Sequence, residues 1–149
     1  GIKLLITTSR RSGKALDDKI EAMFTGSSSL GYMLILSKNP QVNALAAMMG
    51  RATHVLVTED SVSMVSEAVT AGFRVGLLRV PRSSGMVKQF FGSGAKRFDD
   101  MFDKMMQRNL LVDLGKTPDF RSFLNEPEQK HHQDFSEAKR AAEWILSQP

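Results

Sequence analysis

The stretch from His54 to Pro81, HVLVTEDSVSMVSEAVTAGFRVGLLRVP, constrains the fold more than any other. His54 to Thr58 is a short, Val-rich apolar run, the pattern of a buried strand. Asp60 and Ser61 then offer oxygens suited to a helix N-cap. Val62, Val65 and Val69 recur at i, i+3 and i+7, the spacing of one helix face. Gly72 stops that helix, because the residue past a helix end often needs φ > 0. Arg74 to Val80 is a second apolar run, closed by Pro81. Strand, helix and strand in so short a stretch make a βαβ unit with parallel strands and a right-handed connection. Sheets of this kind bind ligands beyond the carboxyl ends of their strands. That edge carries Thr58, Glu59, Asp60, Ser61 and Ser63, with Ser66 and Glu67 one turn further on.

The flanking sequence repeats the alternation. Leu4 to Thr8 reads as a strand and Ser9-Arg10-Arg11-Ser12-Gly13 as a turn. A helix follows with Leu16, Ile20, Met23 and Phe24 on one face, and then a strand from Tyr32 to Leu36. Asn39-Pro40 suggests an N-cap followed by Pro at the first helical position. The helix it opens carries Val42, Leu45, Ala46 and Met49 and closes at Gly50. After the central unit come a Gly/Ser/basic loop from Ser83 to Gly94, a helix from Lys96 to Asn109 with Phe98, Met101, Phe102 and Met105 on one face, and a strand from Leu110 to Leu114. Thr117 to Gln133 is polar. Asp134 and Glu137 form a capping box before a last helix lined by Ala138, Ala141, Ala142 and Ile145, with Trp144 beside them. This order predicts a single α/β domain over residues 1–149, a Rossmann-like, three-layer parallel sheet with helices on both faces.

A chain of 149 residues with 42% hydrophobic content can bury a core. It has no cysteine, so disulfides and thiolate chemistry are excluded, which fits a cytoplasmic protein. No apolar run reaches the ~18 residues of a membrane span. The net charge of +4 is unevenly placed: between Glu67 and Asp99 there is no acid, while Arg74, Arg79, Arg82, Lys88, Lys96 and Arg97 fall there. A solvated loop, a phosphate site and an anionic membrane surface all fit that interval. Nucleic acid does not, because aromatic residues are not interleaved with the basic ones.

The motifs exclude several chemistries. SRRSGKAL departs twice from the phosphate-loop pattern, with Thr8 in place of its first Gly and Ala15 in place of its metal-binding hydroxyl. No G-x-G-x-x-G follows the first strand, so a bound dinucleotide is disfavoured and no cofactor is expected. His54, His131 and His132 lack metal-ligand spacing, so no metal is expected either. Ser9, Arg10 and Arg11 at the first sheet edge could meet a phosphate as fork donors, or be plain surface residues of a turn. At Thr58–Glu67 the start of a helix offers unpaired N–H groups and partial positive charge. The hydroxyls of Ser61, Ser63 and Ser66 would add donors for a diphosphate, and Glu67 could accept from a ribose. Simple capping, with Glu67 a solvated helix residue, fits equally well.

TEDSVSMVSEAVTAGFRVGLLRVP resembles the donor-binding half of GT-B glycosyltransferases. LLITTSRRS at Leu4–Ser12, NPQVNALAAMMGRATHVLVTEDSVSMVSEA at Asn39–Ala68, and KRFDDMFDKM together resemble the elongated-mitochondria (mitochondrial fission) family. Bacterial members of that family carry the label nucleoside-diphosphate-sugar epimerase. The resemblance implies the carboxyl-terminal, nucleotide-sugar-binding domain of a GT-B-like protein, its amino-terminal half missing from this chain. It places the diphosphate on Ser61, Ser63 and Ser66 and the ribose on Glu67, with Asp60 at the same edge. Ser9, Arg10, Arg11, Asn43 and Thr58 would line the same cleft.

The leading expectation is a nucleotide-sugar-binding domain for glycosyl transfer, with the catalytic base unassigned and the isolated chain able to bind without turning over. A second is a non-catalytic GT-B-like scaffold acting through protein or membrane-surface contacts of the loop that holds Phe90 and Phe91. That second reading would make the protein peripheral at the membrane. A nucleotide-sugar epimerase finds no support in these residues.

Overall fold

The computed structural model describes residues 1–10, 12–40, 42, 44–80, 95–115, 119–126 and 137–147. In chain order the elements are β1 (Leu4–Thr7), α1 (Lys14–Phe24), β2 (Leu30–Leu34), α2 (Leu45–Arg51), β3 (Val55–Thr58), α3 (Val62–Thr70), β4 (Val75–Leu78), α4 (Ala95–Gln107), β5 (Leu111–Asp113), α5 (Phe120–Asn125) and α6 (Glu137–Leu146). Every strand pairing is parallel. The fold is α/β and compatible with the Rossmann-like class, but the described strands fall in two sheets, β1-β2 and β3-β4-β5. They belong to two units, Gly1–Ala52 and Thr53–Pro149.

In the first unit, Leu5 pairs with Tyr32 and Thr7 with Leu34. Thr8 joins the carboxyl ends of the two strands: its N–H donates to the Leu34 carbonyl at 3.1 Å, and its Oγ1 accepts from Leu36 N–H at 3.1 Å. The side chain is buried, which accounts for Thr where a phosphate loop would have Gly. α1 turns a different face inward from the one expected. Leu16 and Met23 are exposed and Asp17 is buried, so the sheltered stripe runs Asp17, Ile20, Glu21, Phe24. The Asn39-Pro40 start of α2 is also displaced. Asn39 N–H and Nδ2 both donate to the Ile35 carbonyl, holding a turn, and α2 begins only at Leu45 with Ala44 as its N-cap. Gly50 lies inside that helix and does not end it.

The second unit contains the βαβ unit read from the sequence. Val55 pairs with Val75 and Thr58 with Leu78. α3 buries Val65, Ala68 and Val69 and ends in a Schellman motif. Phe73 N–H donates to the Ala68 carbonyl, Gly72 N–H to that of Val69, and Gly72 has φ +95°. α4 ends the same way with Asn109 at φ 57°, where Leu110 N–H reaches the Met105 carbonyl. Phe102 and Met105 of α4, Val75 and Leu77 of β4, Leu110 and Leu111 form the core with α3. β4 is central, between β3 and β5. α5 lies in the stretch expected to be only polar. Asp119 caps it by accepting from Ser122 N–H at 3.0 Å, and Phe123 is buried. His54 holds the end of that segment: its Nε2–H donates to the Glu126 carbonyl at 3.0 Å, while its ring meets Phe123 edge-on. Asp134 of the expected capping box lies outside the described residues. On α6, Trp144, Ile145 and Leu146 are exposed.

Candidate functional site

The carboxyl edge of β3-β4-β5 is built by the residues that end each apolar run. β3 leaves the sheet at Thr58, and Ser61 N–H donates back to the Thr58 carbonyl at 3.0 Å, closing a turn around Glu59 and Asp60. α3 starts from that turn. Ser61 occupies the N-cap position and is buried, yet its hydroxyl makes no capping bond. Val65 N–H is held by the Ser61 carbonyl at 3.0 Å. The amides of Val62, Ser63 and Met64 come before the intrahelical pattern begins. They also sit at the positive end of the helix dipole. Ser63 and Glu67, one turn apart, stand on the exposed face of α3, with Ser66 half-buried beside them. Thr58, Asp60 and Ser61 thus lie between the end of β3 and the start of α3, and Ser63, Ser66 and Glu67 follow on that helix, while the expected capping oxygen of Ser61 is not used for capping.

The sequence reading missed an ion network at the same edge. Glu59 follows Thr58 and is 1% exposed. It accepts from Arg79 Nη1 at 2.9 Å and from Val80 N–H at 3.2 Å. Arg79 in turn donates through Nε and Nη2 to Asp113 Oδ2, at 2.9 and 2.8 Å, and lies 3.8 Å from Asp99. Asp113 also accepts from Gly115 N–H at 2.8 Å. One guanidinium therefore ties the ends of β3, β4 and β5 and comes near Asp99 of α4. Burial opposes the charge on Arg79 and on Asp113. The bonds from Arg79 and Gly115 outweigh it and hold the Asp113 carboxyl below the usual carboxylate range. The bonds of Arg79 to Asp113 and Glu59 likewise outweigh its burial and push the guanidinium further up. The available signal was a charged residue at the carboxyl end of each parallel strand: Glu59 after β3, Arg79 after β4 and Asp113 as the last residue of β5.

Arg79 is thus occupied by carboxylates, and Arg74 pairs with Glu126 at 2.5 Å. Two of the six basic residues of the acid-free interval are consequently engaged with acids remote in sequence. The loop with Arg82, Lys88, Phe90 and Phe91 lies outside the described residues.

In the first unit, Ser9 and Ser12 close a turn after β1. Ser9 N–H donates to Ser12 Oγ at 2.9 Å and Ser12 N–H to the Ser9 carbonyl at 3.1 Å. Arg10 is exposed on that turn. Arg11 and Asn43 lie outside the described residues. α1 has Gly13 as its N-cap, at φ +74° with open space where a side chain would be. The Asp17 oxygens, buried in its first turn, have no hydrogen-bond partner among the described residues. Among those residues no group of His, Cys, Asp and Glu could hold a metal ion, and no helix is long and apolar enough to cross a membrane.

Parallel strands with helices between them define an α/β protein compatible with the Rossmann-like class. The chain belongs to the family described as Mitochondrial fission ELM1, whose model matches residues 1–148. No curated protein and no solved structure matches it.

Proposed function

We propose that the Thr53–Pro149 unit binds the diphosphate of a nucleotide sugar at the start of α3, as the carboxyl-terminal domain of a GT-B-like glycosyltransferase does. The observation that carries this reading is the N-terminus of α3, where the Ser61 hydroxyl at the N-cap position makes no capping bond to the first-turn amides among the described residues. A phosphate there would meet N–H donors and the positive end of a helix, with Ser61 and Ser63 hydroxyls beside it. Glu67, exposed and further along the same helix, would accept from the ribose hydroxyls. The reaction class is glycosyl transfer, in which the diphosphate leaves the anomeric carbon and helix-end amides stabilise its developing charge. Family membership supports the reading only through the sequence resemblance described above.

The test is a thermal-shift panel of UDP, GDP, ADP, CMP and their sugars against the wild-type chain and Glu67→Ala. A ligand at about 100 times its Kd adds ~2.7 kcal/mol of stability. A base-selective shift in the wild type that shrinks in Glu67→Ala is the expected result. An unchanged affinity in that variant would remove the ribose role, and a flat panel would remove the nucleotide site.

A further inference from the structure

We propose that Glu59 and Arg79 are the positioning residues of this anion site, holding the turn from which α3 starts. The inference rests on the nucleotide-binding reading above, but its geometry stands separately. Glu59 lies inside the turn closed by the Ser61 N–H bond to the Thr58 carbonyl. Its carboxylate is shut off from water, so it must be satisfied by the protein. Arg79 Nη1 and Val80 N–H both donate to it, so β4 grips the turn through the far end of one side chain. Arg79 is itself fixed from the opposite side by two bonds to Asp113 on β5. The turn is therefore anchored to two neighbouring strands, and Val62 and Ser63 inherit that position. Convergent donors bind an anion well only when held to within ~0.5 Å.

Arg79 has a competing role that the same variants separate. Were it a direct phosphate ligand restrained by Glu59, neutralising Glu59 would release it and tighten binding. As a positioning residue, it loses its grip on the turn and binding weakens.

The experiment measures, for wild type, Glu59→Gln and Arg79→Lys, the Kd of whichever nucleoside diphosphate the panel selects, and hydrogen–deuterium exchange across Thr58–Met64 without ligand. Glu59→Gln should bind about tenfold more weakly, the lower end of the loss seen when a ligand-orienting group is removed, and should exchange faster in that segment. Arg79→Lys, which keeps the charge but not the fork, should show a smaller change in the same direction and serves if Glu59→Gln does not fold. Gly76→Ala, a core variant away from the turn, should keep the wild-type Kd, so general destabilisation is not the cause. Tighter or unchanged binding in Glu59→Gln overturns the assignment. If the wild type binds no nucleotide, the nucleotide reading fails and exchange alone decides: unchanged exchange across Thr58–Met64 sinks the anchor too, and faster exchange retains it.

Discussion

Gly76 sits in the middle of β4, the central strand of the second unit, and a methyl group there has nowhere to go. A Cβ would lie 2.5 Å from Leu56 Cδ2, 2.9 Å from Leu114 Cδ1 and 3.1 Å from Phe123 Cζ. Leu56 is its register partner on β3, and Phe123 is the buried anchor of α5. All three contacts are with the far ends of side chains, so the backbone can stay in place while the side chains leave their rotamers. Each such displacement costs about 0.5–1.5 kcal/mol, or about 3 kcal/mol for the three together. Two gains oppose it. Burying the methyl contributes about 0.8 kcal/mol, and the stiffer unfolded chain contributes ~0.7 kcal/mol. Gly76→Ala should therefore destabilise by about 1.5 kcal/mol, within the range for overpacked cores, lowering Tm by roughly 3–6 °C. The single tryptophan, Trp144, is 66% exposed on α6 and reports poorly on this core, so urea unfolding followed by far-UV circular dichroism is the suitable assay. Trimming the nearest contact in Leu56→Val should recover part of the loss, giving a coupling of about 1 kcal/mol in the double-mutant cycle. A Gly76→Ala chain as stable as the wild type, or a cycle without coupling, would refute the packing described for β3, β4 and α5.

Gly50 provides the opposite case. It lies inside α2 with nothing within 4 Å of a built Cβ, so Gly50→Ala should stabilise by up to ~1 kcal/mol in thermal melts; a loss of stability would mean that the helix does not continue through it. Asp113 makes stability acid-sensitive. Its folded-state pKa lies below the ordinary value, so its contribution is complete above the unfolded carboxylate value of about 3.9. That contribution fades as pH falls through the lower folded value. Asp113→Asn should flatten this part of the acid limb in urea titrations between pH 6 and pH 2, and an unchanged limb would show that Arg79 does not hold the carboxylate.

The sequence carried the second unit well because its signals were local. Val62, Val65 and Val69 mark a face by spacing, and Gly72 marks a helix end by the backbone angle it alone adopts easily, so β3, α3 and β4 could be placed from neighbours in the chain. The start of α3 was legible for the same reason, since Asp60 and Ser61 follow directly on the apolar run of β3. α1 forms where expected but turns a different face inward, because Leu16 and Met23 have the spacing of a core face and only packing decides between that stripe and the one through Asp17. α2 forms but starts later than expected, because Asn39 donates its N–H and Nδ2 to the Ile35 carbonyl, which periodicity cannot show. α5 escaped notice because its single buried anchor, Phe123, stands in a polar stretch. Its socket is the space over Gly76, 47 positions earlier in the sequence. The Glu59–Arg79–Asp113 network joins residues 20 and 34 positions apart, and no spacing rule reaches that far. It does follow from the register. Once β3, β4 and β5 are known to be parallel, Glu59 and Arg79 just past β3 and β4 and Asp113 at the end of β5 fall at one edge. An acid enclosed there, beside an arginine between two acids, has few ways to be satisfied except by ion pairing. The step from strand order to charge pairing was therefore open as soon as the sheet was drawn, and it leads to the anchor of the proposed site rather than to its ligand-facing residues.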